Sequence, residues 1–292
     1  MVTTLLAAWK AATARLQAAG VDNPAIDARL LLEAAGPVSR AEILGDPHRV
    51  LTGDAAERLA AFVARRARRE PVSLILGRKG FWKLMLKVGP GVLTPRPDTE
   101  TILDVVLAEF PPERAFRILD LGVGSGAILL AILAERPLAR GLGIDASEDA
   151  LAVARENAAN LGLEGRVALL RGDWTAGLGE AGFDLVVSNP PYIPTAEIET
   201  LDPEVRDHEP RLALDGGPDG LAAYRRLAPE ILHVLNPGGR FVVEVGAGQA
   251  ADVEALFREA GAEALSRHRD LADRERVVAG VKKALGKPSV NR

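Results

Sequence analysis

Arg117-Ile118-Leu119-Asp120-Leu121-Gly122-Val123-Gly124-Ser125-Gly126 decides the fold. An apolar run of strand length ends in three glycines at alternate positions, and Ile128-Leu129-Leu130 begin a helical run behind them. Glycine is needed where a chain turns sharply and a ligand must approach bare backbone, with the amides of a helix start facing it. The stretch therefore predicts a strand, a turn and a helix arranged to hold a nucleotide. It does not say which nucleotide. Gly-Val-Gly-Ser-Gly-Ala also satisfies the relaxed dinucleotide pattern, so nicotinamide and flavin remain open on this evidence.

Outward from that turn the chain alternates strand and helix. Strands are expected at 117–121, 140–144, 167–171, 183–188, 239–245, about 263–268 and 275–280. Helical segments lie between most of them, which implies an α/β fold with a mostly parallel, seven-stranded sheet covered on both faces. Asp98 is expected to cap a helix over Thr99 to Phe110, and two glycine turns lead into another over Leu221 to Leu235. Residues 98–292 thus form one α/β domain.

Residues 1–72 read differently, as a small all-helical domain of short amphipathic helices. Asn23-Pro24 places a capping side chain before a proline at the first helical position, Gly36 stops that helix, and Ser39 with Glu42 has capping-box spacing. A helix from about Ala55 to Arg69 ends in Arg65-Arg66-Ala67-Arg68-Arg69. A basic last turn complements the helix dipole, and it could also meet a partner carrying phosphates. Between the domains, 73–97 reads as a linker with a β-hairpin, from its short apolar runs broken by glycine.

Composition narrows the function classes. The 292 residues contain no Cys, which removes disulfide frameworks and thiolate metal sites and suits a reducing, cytoplasmic setting. No apolar run reaches the ~18–20 residues of a membrane span, and Met1-Val2-Thr3-Thr4 lacks the charge of a signal peptide. No pair of His or carboxylates has metal-ligand spacing, so no metal is expected. A net charge of −4 argues against broad capture of nucleic acid.

Three further features carry chemistry. Asp145 ends the second strand at the distance where an acidic side chain meets a ribose; the plainer role is a helix cap, which Ser147 could share. Asp173-Trp174 follows the third strand, where an aromatic can pack on a purine. Asn189-Pro190-Pro191-Tyr192 directly follows the apolar run Phe183 to Ser188. An Asn oxygen and a backbone carbonyl of the Pro-Pro segment can accept the two hydrogens of a planar NH2 group, the prolines preset the carbonyl direction, and Tyr192 offers an aromatic face. An amide nitrogen is a poor nucleophile and must be aimed, so the tetrapeptide beside a nucleotide turn suggests methylation of an amide or exocyclic amine.

The chain resembles the release-factor glutamine N5-methyltransferases, the PrmC/HemK family, along nearly its whole length. The matching stretches are Gly77 to Glu100, above all Leu93-Thr94-Pro95-Arg96-Pro97-Asp98-Thr99-Glu100, then Asp120 to Gly126, Asp145, Gly172 to Trp174, Asn189 to Tyr192, and Glu209 to Gly217. The Pro-Arg-Pro-Asp-Thr-Glu and Glu209 to Gly217 flanks separate this family from DNA amino-methyltransferases, which share the tetrapeptide alone. The resemblance implies a Rossmann-like class I methyltransferase sheet, S-adenosylmethionine as cofactor with S-adenosylhomocysteine as product, and a helical domain that grips substrate. It implies a partner too, the glutamine of the Gly-Gly-Gln tip of class I peptide-chain release factors.

By the same resemblance Gly122, Val123, Gly124, Ser125 and Gly126 line the methionine and ribose side of the cofactor, Asp145 holds the ribose and Trp174 contacts the adenine. Asn189, Pro190, Pro191 and Tyr192 form the catalytic segment, with Asn189 also touching the cofactor. Phe81 is expected to border the site, and Arg96 or Glu100 to sit over the cofactor's charged tail. Val123 stands where the family usually has Thr or Cys, Leu74 where it has Tyr, and Thr94 where it has Ile or Val.

The nearest rival is an adenine or cytosine amino-methyltransferase of nucleic acid, which needs a basic recognition domain. Residues 1–75 carry 10 Lys or Arg against 8 Asp or Glu; of the totals 36 and 40 this leaves 26 against 32 for the remainder. No sequence-specific binding of nucleic acid is therefore expected. An oxidoreductase would leave the tetrapeptide unexplained, and a non-catalytic binding module would not need it intact.

Overall fold

Apolar residues alternate between two cores along every central strand of this protein. The computed structural model describes residues 3–180 and 182–284. Among them nine strands form: β1 (Arg78–Phe81), β2 (Leu84–Lys87), β3 (Arg117–Leu121), β4 (Arg140–Asp145), β5 (Val167–Arg171), β6 (Phe183–Ser188), β7 (Leu235–Glu244), β8 (Ala262–Arg269) and β9 (Glu275–Lys282). Seven of them make one sheet in the order β5-β4-β3-β6-β7-β9-β8, parallel from β5 to β7 and antiparallel at β9 and β8. Ile118, Leu185, Val187 and Val242 enter one core with the helices Glu100–Glu109 and Ala127–Glu135. Leu119, Leu121, Val186, Phe241 and Val243 enter the other with Ala222–Val234 and Ala250–Glu259. This period of two, with helices on both faces, is what a buried parallel sheet requires.

The chain runs outward from β3 through β4 to β5, then returns to β6 on the other side of β3. Such a reversal opens a crevice at the carboxyl ends of β3 and β6, where ligands of open α/β sheets bind.

By compactness the chain divides into residues 1–78 with 202–208, and 79–201 with 209–292. The first unit holds the helices Leu5–Ala18, Pro24–Ala35, Arg40–Gly45, Gly53–Arg66 and Val72–Leu76 around Leu16, Leu31, Leu32, Ile43 and Leu59. Ser39 and Glu42 make the expected capping box. The basic helix end is occupied within the unit. Arg65 pairs with Glu70, the buried Arg66 with Asp27 and Glu204, and Arg69 with Glu204, which leaves little of that cluster for phosphate.

Several local readings need correction. Asn23 precedes its helix but makes no side-chain cap bond. Leu74 to Leu76 lie in the short helix Val72–Leu76, closed by Gly77 in the left-handed region, and only β1 and β2 form the hairpin. Asp98 sits inside a 3-10 turn, Pro97–Thr99, and pairs with Arg276 at 3.2 Å instead of capping. β7 starts at Leu235, which pairs with Phe183, and its Asn-Pro-Gly-Gly segment lies in the register shift before the ladder resumes at Leu185 and Arg240.

Candidate active site

A cavity of about 610 Å³ lies at the carboxyl ends of β3 to β6, within the size range of ligand pockets. Its floor is the glycine turn. Gly122 and Gly124 have φ of 74° and 54°, a region that costs side-chain-bearing residues free energy. The Gly122 and Val123 amides donate to the Ile144 carbonyl at 2.8 and 3.0 Å, which locks the turn to β4. Gly122, Val123, Gly124 and Ser125 all line the cavity. Gly126 lies behind it, at the start of the helix Ala127–Glu135.

Asp145 lines the cavity from the end of β4 and is held by backbone on both oxygens. Gly124 N–H donates to Oδ2 at 2.8 Å and Ser147 N–H to Oδ1 at 2.9 Å. Ser147 itself caps the next helix, Glu148–Asn160, by accepting from Ala150 N–H. The capping role weighed for this pair thus falls to Ser147. Trp174 lines the cavity with its ring near Gly122, where an added Cβ would come 3.5 Å from Trp174 Cζ3. Asp173 also lines it and accepts from Arg226 at 2.8 Å.

Asn189 and Pro191 line the same cavity, whereas Pro190 is buried beneath. Asn189 Nδ2 donates to Thr99 Oγ1 at 3.3 Å. Tyr192 turns away from the wall. Its ring packs into the core beside Gly246, its hydroxyl donates to Glu244 Oε1 at 3.4 Å, and its carbonyl accepts from Gln249 Nε2 at 2.9 Å. The segment is braced from behind, because Gly216 and Gly220 lie so close to the Tyr192 backbone that a Cβ on either would collide with it.

Arg96 lines the cavity and pairs at 2.7 Å with Glu209, whose burial raises its pKa against the pull of Arg96. Phe81 is fully buried in the sheet core, and Glu100 accepts from the Trp82 amide at 2.8 Å; neither lines the cavity.

Two buried acids were missed in the sequence. Asp120 lies under the turn, with burial raising its pKa to about 8; the Leu129 amide offers only partial compensation, and neither oxygen has a well-formed hydrogen bond. Glu244 ends β7, and burial raises its pKa to about 7 despite Arg276 nearby; its Oε2 has no hydrogen-bond partner. The signal for Glu244 is a lone acid in Phe241-Val242-Val243-Glu244-Val245, at the strand end where Asp145 and Asn189 also sit.

The chain matches the family model described as the PrmC N-terminal domain over residues 7–77 and one described as a methyltransferase domain over residues 112–277. It is 65% identical over 289 residues to the release factor glutamine methyltransferase of Caulobacter vibrioides, covering 99% of this chain and 100% of that one. The chain belongs to the release factor glutamine methyltransferase family. The same-named protein of Moorella thermoacetica is 44% identical, over 89% of this chain and 91% of its own. A solved methyltransferase from Pyrococcus furiosus shares the fold, with a TM-score of 0.53 at 19% identity over 75% of this chain and 98% of that one.

As a member of this family the protein is an enzyme, a methyltransferase that uses S-adenosylmethionine. The site fits that cofactor: bare backbone at Gly122 and Gly124, an acceptor carboxylate fixed by two amides, and an aromatic face at Trp174. The nicotinamide and flavin readings of the glycine turn fall away. The expected Rossmann-like class I sheet and its seven-strand composition hold.

Proposed function

We propose that the protein methylates the side-chain amide nitrogen of the glutamine in the Gly-Gly-Gln segment of class I peptide-chain release factors. The observation that carries this reading is that Asn189 and Pro191 share one cavity with Asp145, Trp174 and the glycine turn. An amide grip and a nucleotide cradle therefore face the same space. The cofactor supplies an electrophilic methyl group on a sulfonium.

In this reading Asp145 accepts from the ribose hydroxyls, Trp174 packs on the adenine, and residues 122–126 form the wall along the methionine. Asn189 Oδ1 and a carbonyl of the Pro190-Pro191 segment accept the two amide hydrogens, with prolines fixing φ. Orientation of this kind can lower a barrier by on the order of 7–11 kcal/mol. No base of high strength is required, because the nitrogen becomes acidic once it carries the methyl and then releases its proton. Tyr192 supports the segment from the core side. A chain without Cys suits the cytoplasm, where translation takes place.

The test is mass spectrometry of a release factor incubated with the enzyme and labelled cofactor. One added methyl on the Gly-Gly-Gln glutamine is expected; label on DNA with none on release factor would defeat the reading. Asn189→Ala is expected to lower turnover at least ~100-fold with cofactor affinity nearly intact, as for loss of one preorganised contact to a reacting group.

A further inference from the structure

Proline fixes φ but leaves ψ free, so the Pro190-Pro191 segment aims a carbonyl at a substrate amide only if the chain is also held at both of its ends. The entering end is held by β6, whose last residue, Ser188, is buried and donates its hydroxyl to the Leu121 carbonyl at 2.7 Å. The leaving end, at Tyr192, lies in no strand or helix. Gln249 grips it there. This half-buried side chain stands at the start of the helix Ala250–Glu259, 57 residues further along, yet makes no cap bond to that helix. Its Nε2 donates instead to the Tyr192 carbonyl at 2.9 Å, and its Oε1 accepts from the Gly246 amide at 3.0 Å.

Both partners of Gln249 are backbone groups, and each can play one role only, since an N–H donates and a carbonyl accepts. The side-chain amide therefore has a single orientation. Space is cleared on both sides of it: a Cβ on Gly246 would lie 2.6 Å from Gln249 Oε1, and one on Gly220 2.5 Å from Gln249 Nε2. The other half of the same peptide unit is held as well, because the Ile193 amide donates to the Leu214 carbonyl at 3.0 Å. A peptide unit is planar, so a grip on its oxygen and another on its N–H set the whole plane.

We propose that Gln249 is a positioning residue: by holding the Tyr192 carbonyl it fixes the peptide plane on which the tetrapeptide ends, and so keeps the Pro190-Pro191 carbonyls in the direction the substrate amide needs. The role rests on the reading of Asn189 to Tyr192 given above. Without Gln249 the Tyr192–Ile193 peptide keeps the Leu214 bond alone and can tilt about it. Gln249 does not line the cavity, so its loss reaches the reaction through the segment and leaves the cofactor cradle untouched.

The experiment measures methylation of intact release factor by the full-length wild type, Gln249→Met, Gln249→Glu, Asn189→Ala and the double variant Asn189→Ala/Gln249→Met, with cofactor affinity and melting temperature measured in parallel. Gln249→Met keeps a long unbranched side chain and removes both bonds. Gln249→Glu keeps an acceptor for Gly246 but, when ionised, cannot donate to Tyr192. Each is expected to lower kcat by about 10- to 100-fold, as for a small misplacement of a group that orients the substrate, with cofactor affinity within about twofold of wild type. The double variant is expected to lose no more than about threefold beyond Asn189→Ala, because the amide is then already released from its grip. Near-normal kcat in both single variants, losses that multiply in the double variant, or a fall in cofactor affinity as large as the fall in kcat overturns the positioning role while leaving the substrate reading intact. If Gln249→Met does not fold, the same comparisons made with Gln249→Glu decide. Wild-type enzyme that leaves release factor unmethylated overturns the substrate reading, and the role of Gln249 with it.

Discussion

Asp145 shows how backbone amides hold one cavity-lining side chain in place. Its oxygens already accept from Gly124 and Ser147, so the carboxylate is fixed before any ligand arrives, and ordering it costs nothing on binding. Asp145→Ala should weaken cofactor binding by ~1.5–3 kcal/mol, a factor of about 10 to 150, as measured by calorimetry. Ser147→Ala makes the contrast: it removes the cap bond to Ala150 and should lower stability by ~0.5–2 kcal/mol while leaving affinity nearly unchanged. Equal affinity loss in both variants would mean that the cap, and not the carboxylate, shapes the site. Asp145 was legible in the sequence because a strand and a turn precede it locally. The contact of Thr99 with Asn189 was not, because it comes from a 3-10 turn ninety residues earlier in the chain.

β4 carries glycine where a strand gains nothing from it. Gly141 and Gly143 weaken β propensity, yet a Cβ at Gly143 would lie 2.7 Å from Val123 Cγ2 and 2.8 Å from Leu169 Cδ2. The strand is thinned so that the glycine turn can settle on it. Val123, where the family usually has Thr or Cys, fills that space with a methyl and is itself part of the cavity wall. Gly143→Ala must displace Val123 or Leu169, with a stability cost of ~1–3 kcal/mol. Because Val123 moves with the turn, cofactor affinity should fall as well; a thermal melt and a binding isotherm on the same sample would separate the two effects. The strands of the sheet were readable because each core face repeats every second residue, as Leu185-Val186-Val187 does. The beginning of β7 was not, since Asn-Pro-Gly-Gly has turn composition and lies in a register shift, and only the pairing of Leu235 with Phe183 places the strand start before it. The helices between Thr195 and Arg206 are too short to show a period.

Buried charge is distributed so that the protein should respond to acid and to base in different places. In the helical unit, burial works to raise the pKa of Glu204, but hydrogen bonds from Arg69 and Arg66 overcome it and hold it at about 2. A depressed carboxylate contributes stability that is present above the unfolded value near 4.5 and lost as pH falls toward 2. In the sheet unit the sign is reversed. Burial raises Asp120 to about 8, so the unfolded chain releases this proton near 3.8 while the folded chain keeps it. Stability is complete below that lower value and declines as pH rises through about 8, with a slope for one proton of at most ~1.4 kcal/mol per pH unit. Asp120→Asn keeps the shape and removes the ionisation. Its melting temperature relative to wild type should therefore rise steadily between about pH 5 and about pH 8 in the absence of cofactor, whatever fixed offset the amide introduces. A difference that stays flat across that interval would mean that Asp120 ionises freely under the turn, and that the carboxylate is solvated or paired in solution.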